Sequence, residues 1–302
     1  MAVTPNTTTT AQITVQAKEI DLAARFTATW EALSEIMGIM RPIRKTPGTR
    51  LVSSKASITL QDGAVAEGDE VPLSQAKVDP VAFKDLVLKK YRKRVTAEAV
   101  EKYGAAVAVQ KTDDALLNEL QGVVLDEFYA FALTGTLTSE EASFQMAVSM
   151  AIGKVKDKFK KMRLNYGQVV VFANTLDVHR YLGSTQISTQ TSNGVEYLKN
   201  FLGADVLIAS SEIPEGKVVA IPADNIVLYY IDPADSDFAE LGLMYTTAGG
   251  ETNLIGVHKE GVYGYASGDT HVLMGMVMWA EYLDAIAVIT IAPAAAAADA
   301  EV

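Results

Sequence analysis

LVSSKASITL, QDGAVAEGDEVPLSQAKVDP and VAFKDLVLKKYRKRVTAE follow one another over residues 51–98, and their reading decides the fold. The flanks alternate apolar and polar residues, while the middle is rich in Gly, Pro, Asp and Glu. Ile58 and Leu60 share one strand face, and Val81, Phe83, Leu86 and Leu88 supply a returning strand. The stretch therefore predicts a long two-stranded hairpin with an acidic tip carrying Glu67, Asp69 and Glu70. A two-stranded ribbon with few bulky side chains is marginal alone in water, so it calls for a surface to lie on, in this chain or in another copy. Lys84, Lys89, Lys90, Arg92, Lys93 and Arg94 run along and after the return strand. Such a run reads either as a solvated face or as a contact for acidic segments, the hairpin tip of a neighbouring copy among them.

Downstream, Thr112 stands where a helix cap is expected, with Asp113 and Asp114 in the first turn, where carboxylates suit the positive helix end. Leu117, Leu120, Val124, Phe128 and Phe131 then make one stripe of a strut-like helix ending before Gly135. A second helix is expected from Ser139, with Phe144, Val148, Ile152, Val155, Phe159 and Met162 on its apolar face and a basic run, Lys154 to Arg163, at its end. QVVVFAN and TLDVHRYL follow as a buried strand and a short helix. After Gly203 the chain reads as strands: ADVLIAS, GKVVAIPADNIVLYYID, ELGLMYT and HVLMGMVMWAEYLDAIAVITI. Upstream, residues 1–12 are Thr-rich, and Ile20, Ala23, Ala24, Thr27, Trp30, Leu33 and Met37 lay an apolar stripe along an arm helix.

The 302 residues are 49% hydrophobic and 21% charged, an ordinary globular balance, so a sizeable core is available. The net charge of −11 argues against general affinity for nucleic acid. That charge is uneven: residues 1–164 carry 22 basic and 20 acidic side chains, residues 165–302 carry 4 and 17. With no cysteine, disulfides, thiolate metal sites and a cysteine nucleophile are excluded. No signal peptide is read at the start, and the apolar stretch from Ala285 to Ala298 is short for a membrane span and interrupted by Pro293.

His179, His258 and His271 fall in no short metal-ligand spacing and are read as structural or surface residues, so no metal site is expected. Phosphate loops and nucleophile elbows have no motif here; Gly261, Gly264 and Gly268 sit in a turn-rich stretch at the wrong spacing. The carboxylates at 67–70 lie on an extended loop with no apolar pocket to tune them for acid–base work. No catalytic residue and no cofactor are expected.

Three stretches carry a resemblance: KEIDLAARFTATWEALSEIMGIMR (18–41), TLQDGAVAEGDEVPLSQAKVD (59–79) and KKYRKRVTAEAVEKYGAAVAVQKTDDALLNELQ (89–121). With the order of elements, they make the chain resemble the major capsid proteins of tailed bacteriophages with the Hong Kong 97-type fold, siphophage head proteins above all. The resemblance implies an α+β capsid fold in which residues 1–48 form an N-arm and 49–86 the extended E-loop that crosses a neighbouring subunit. It assigns 87–165 and 240–284 to a peripheral domain with a spine helix, 166–239 and 285–294 to an axial domain, and 295–302 to a flexible tail. The implied function is structural: pentamers and hexamers closing into an icosahedral head around double-stranded DNA, located in the virion and assembled in the host cytoplasm. The implied partners are further copies of the chain, a portal, the packaged DNA without sequence-specific contacts, and a separate scaffolding protein, since only a dozen Thr-rich residues precede the arm. Inter-subunit contacts are expected at Trp30, Glu67, Asp69, Glu70, Leu73, Lys90, Arg92 and Arg94. Some members crosslink a Lys to an Asn of another subunit, but no motif assigns that role to Lys55, Lys77 or Lys84. The alternatives are an encapsulin-like compartment enclosing a cargo enzyme and, more distantly, a soluble α+β enzyme.

Overall fold

The computed structural model describes residues 40–62, 64, 70–183, 189–192, 195–223, 225–247 and 253–292. The arm helix with Trp30, the tip residues Glu67 and Asp69, and the tail 295–302 lie outside the described residues.

VVVFA in β6 (Val169–Ala173) shows how the chain is layered. Successive side chains of a strand point to opposite faces, and an unbroken apolar run therefore demands cover on both. Val169, Val171 and Ala173 meet one core cluster, while Val170 and Phe172 meet another. β10 (Lys217–Pro222) repeats the pattern, Val218 and Ala220 on one side and Val219 and Ile221 on the other. These strands belong to a seven-stranded sheet in the order β5 (Leu137–Glu141), β14 (Ala287–Ile291), β10, β6, β9 (Ala204–Ala209), β8 (Val195–Phe201) and β7 (Gln190–Ser192).

One face is covered by α3 (Phe144–Met162) and α4 (Thr175–Leu182), whose Phe144, Val148, Ile152, Val155, Phe159, Val178 and Leu182 are buried there. The other is covered by α2 (Thr112–Ala132), where Leu117, Leu120, Val124 and Phe128 form the expected stripe. At 21 residues and about 1.5 Å per residue, α2 is a strut of roughly 30 Å. The cluster beneath it also takes in Leu228, Val257, Val272, Met274, Met276 and Met278 from a second sheet, so α2 joins the two sheets through one core.

In that second sheet β13 (Ser267–Ala280) is the central strand. β4 (Val87–Thr96) lies along one side of it, and β12 (Ile255–Val262) and β11 (Ile226–Ile231) lie end to end along the other. β1 (Met40–Lys45) adds a parallel edge on β11. A third sheet is the ribbon of β2 (Arg50–Thr59) and β3 (Gln75–Asp85). β3 is one residue longer than β2, and the register shifts opposite Ser53 and Ser54, which face Ala82 and Pro80. A bulge is where a strand tolerates proline, which has no N–H for the ladder.

Several expectations are corrected. The return strand does not run through Leu88: β3 ends at Asp85, and Leu86 and Leu88 pack beside Ile231, Phe238 and Leu273 at the second sheet. Ser139 to Glu141 do not start a helix. They lie in β5, which pairs in parallel with β14, and the helix begins at Ser143, whose hydroxyl accepts from the Met146 N–H at 3.3 Å. β5 and α3 pack on the seven-stranded sheet, and β11 joins the second sheet. Thr112 is no cap: after α1 (Ala97–Tyr103) a π-helical turn (Ala106–Lys111) runs straight into α2, and the Thr112 hydroxyl donates back to the Ala108 and Val109 carbonyls at 2.8 and 3.0 Å. ELGLMYT is not a strand; Glu240 closes α5 (Ser236–Glu240), and of the rest Thr246 alone makes an isolated bridge, to Val257.

Asn174, read at the end of the buried strand, does two jobs. Its Oδ1 accepts from the Leu176 N–H at 2.8 Å, capping α4, and its Nδ2 donates to the Ile213 carbonyl at 2.6 Å. Asn174→Ala is expected to cost about 1–3 kcal/mol, since it removes a cap and leaves a buried carbonyl unpaired. Urea denaturation of the purified variant measures this; a change below 0.5 kcal/mol, roughly that of an ordinary surface substitution, would contradict it.

Candidate assembly surface

The ribbon exposes apolar side chains that a water-facing hairpin has no use for. Ile58 is 63% exposed, Leu60 74% and Leu73 92%, with Val52, Val71 and Val78 also exposed. Each strand contributes about ten residues, so the ribbon reaches on the order of 30 Å at roughly 3.3 Å per residue. Glu70 is exposed at the described edge of its tip. Several large apolar side chains exposed on one element suit an interaction site.

The basic run that follows is mostly committed within the chain. Lys89 pairs with Glu127 of α2, and Lys93 with Asp113. Arg92 and Arg94 both reach Asp269 of β13. Lys90, facing Leu273 in the register, is exposed. Of the basic contacts expected from sequence, Lys90 is therefore outward, while Arg92 and Arg94 serve first to hold β4 to β13. The basic end of α3 is likewise used in part: Lys154 donates to the Thr138 carbonyl, Lys158 pairs with Asp284 and Lys161 with Asp157.

Asp269 is 1% exposed and is the most strongly held carboxylate described. Arg94 binds it with two parallel donors, Nε to Oδ1 at 2.7 Å and Nη2 to Oδ2 at 2.8 Å, and Arg92 Nε reaches Oδ2 at 2.8 Å. The Arg94 hydrogen bonds, aided by Arg92 and opposed by desolvation, hold its carboxyl far below the usual carboxylate range. A carboxylate depressed in the folded state stabilises above its unfolded pKa, about 3.9, and loses that contribution as pH falls toward the folded value. Asp269→Asn is therefore expected to be less stable than the parent at pH 7, with the gap narrowing as pH drops below about 4. Chemical denaturation across that range checks it, and a gap independent of pH would count against the pairing.

On the opposite face of the same strands Asp113 joins α2 to the sheet. Burial pushes its carboxyl up, but Lys93 and Lys259, the latter at 2.9 Å, outweigh burial and leave it below its ordinary value. A cavity of about 600 Å³ lies beside these lysines, lined by Val95, Val100, Val109 and Val262 among others. Its lysines already end on Asp113, so it presents paired charge and aliphatic walls.

Sequence spacing missed one grouping. β12 and β13 pair so that His258 faces His271 and Glu260 faces Asp269. These four side chains share one face, with Arg92 and Arg94 beyond them on β4. His179 sits elsewhere, 3.0 Å from Glu196. Glu196 is held below its ordinary pKa by the Thr189 hydroxyl, against its own desolvation, and by His179.

No protein-family model matches the chain, and no curated protein matches it. Solved structures do match in architecture. The structure of Mycobacterium phage Patience is 11% identical, with a TM-score of 0.56, and the match covers 95% of this chain and 90% of that one. The capsid of an empty GTA particle is 8% identical, with a TM-score of 0.54 and 96% of both chains covered. The capsid structure of cyanophage P-SCSP1u is 9% identical, with a TM-score of 0.52 and coverage of 84% and 86%. The chain thus has a capsid-shell fold. That fold is the one the resemblance implied.

Proposed function

We propose that this chain is the major shell subunit of a tailed-phage head, self-assembling into pentamers and hexamers that close around double-stranded DNA. The observation that carries the reading is the β2–β3 ribbon with its tip, which in a protein of capsid fold leaves Val52, Ile58, Leu60, Leu73 and Val78 exposed. In this reading residues 49–86 form the E-loop and lie across the next subunit. Residues up to 48 act as the N-arm, 87–165 and 240–284 as the peripheral domain with α2 as its spine, 166–239 and 285–294 as the axial domain, and 295–302 as a flexible tail.

Leu73 and Glu70 supply contacts at the ribbon tip, with Trp30, Glu67 and Asp69 from the arm and tip. Lys90 gives an outward cation, and the exposed edges of Arg92 and Arg94 add to it. A neighbour contact of standard size, about 1,600 Å², repeated around a closed shell makes individually modest interfaces collectively stable. The net charge of −11 suits a container whose wall must not grip its DNA. A scaffolding protein and a portal complete assembly in the host cytoplasm, and the product is the virion head. The role is structural and calls on no cofactor.

Expression of the full chain, alone and with the scaffolding protein of its phage, followed by light scattering and negative-stain microscopy, tests this reading. Closed shells, tubes or capsomers are expected, with DNA inside particles from infected cells. Shells that hold a cargo protein instead of DNA would replace the phage-head reading with an encapsulin-like compartment.

A further inference from the structure

The β12–β13 hairpin brings together imidazole and carboxylate donors that no step of shell building uses. His258 and His271 are directly opposed on adjacent antiparallel strands, their ring centres 6.4 Å apart. Glu260 lies two residues along β12 on the same face, its Oε1 3.1 Å from His271 Nε2. Donor atoms of Glu260, His271 and Asp269 all fall within 4.8 Å of one another. Asp269 is already committed, because both its oxygens accept from Arg92 and Arg94.

We propose that His258, His271 and Glu260 bind one divalent transition-metal ion, zinc, nickel or copper in class, as a cross-strand clip on the β12–β13 hairpin. Two imidazoles sharing an ion at about 2.1 Å per nitrogen have ring centres roughly 5–6 Å apart, so binding draws His258 toward His271 from the 6.4 Å observed. Nitrogen donors with a single carboxylate select borderline ions over calcium or magnesium, which want an all-oxygen shell. Arg92 and Arg94 are turned onto Asp269, while Glu260 contacts His271; the exposed Lys90 shares the face farther along β4. Glu260 is half exposed and His271 partly so, leaving water to complete the coordination. The site is open, which makes it a moderate-affinity site that tightens the hairpin, and the reading does not depend on what the shell encloses.

The test uses the tag-free full chain, stripped with a chelator and titrated calorimetrically with zinc and, separately, nickel, with the melting temperature followed in parallel. One equivalent per chain is expected, with a melting temperature that rises on metal addition and returns on chelation. His258→Ala, His271→Ala and Glu260→Gln should each weaken binding by about tenfold or more. His179→Ala, on the other sheet, should leave it unchanged. If either hairpin His→Ala variant fails to fold, cobalt bound to the unsubstituted chain reports the same site, and imidazole-type ligand-field bands are the expected result. No measurable binding, binding unaltered in both hairpin histidine variants, loss of binding in His179→Ala, or an all-oxygen cobalt spectrum would each overturn the proposal.

Discussion

Replacing Leu60 and Leu73 together by Asp is expected to abolish shell formation while leaving the subunit as stable as before. Both residues stand almost free of their own chain, Leu73 at 92% exposure and Leu60 at 74%, so the fold loses little when they change. Surface substitutions of this kind stay within about 0.5 kcal/mol. Across an assembled contact the arithmetic is different. Burying each leucine contributes about 1.5–3 kcal/mol, so removing both takes on the order of 3 kcal/mol or more from every contact. At roughly 1.4 kcal/mol per tenfold, each contact weakens by at least about a hundredfold, and the loss recurs at every subunit of a capsomer. Size-exclusion chromatography with light scattering reads assembly, and urea denaturation reads the fold. Normal shells from the double variant would remove the ribbon from the account; a grossly destabilised monomer would show that the ribbon packs on its own chain.

Phe128→Ala carries the largest expected cost to the subunit itself. The ring is fully buried, edge-on to Tyr129 at 5.1 Å and to Phe172 of β6 at 5.4 Å, where α2 meets the seven-stranded sheet. Truncation leaves a cavity in the cluster shared by both sheets, and such changes cost about 3–5 kcal/mol. Against a total stability of about 5–15 kcal/mol that is a large share, so the variant should melt well below the parent and assemble poorly if at all. A loss under 1 kcal/mol, about the mean for an arbitrary substitution, would mean that α2 is not the strut joining the two sheets.

The parts legible in the sequence are those whose stability is local or whose pattern is unambiguous. VVVFA followed by Asn174 reads as buried strand, cap and helix because the run is apolar throughout and the cap acts within two residues. The ribbon shows in its alternating flanks, and α2 in its stripe of Leu117, Leu120, Val124 and Phe128. What stayed hidden depends on distant partners. β5 exists because β14, about 150 residues later, offers a parallel edge; Glu140 and Glu141 alone suggest a helix start. β1, read as part of the arm, is a strand only beside β11. Thr112 misleads because its hydroxyl serves the backbone behind it rather than ahead.

The candidate sites divide in the same way. Leu73 and Glu70, contacts that the resemblance implied, stand exposed, while Arg92 and Arg94 read from sequence as free cations because Asp269, which they hold, lies more than 170 residues away. The histidine pair had a signal that went unread. HKE at 258–260 and DTH at 269–271 stand symmetrically about residues 264 and 265, so a hairpin closing there puts His258 beside His271.

Because the chain has no cysteine, one introduced thiol reports one position. The most direct test places Leu73→Cys on the ribbon, attaches a photo-crosslinker, and irradiates the protein under assembly conditions. The account predicts covalent dimers and a ladder ending at pentamers and hexamers, with mass spectrometry locating the second end of each crosslink on a different copy. Monomers alone, or crosslinks that return to the same chain, would contradict the claim that this ribbon binds the shell together.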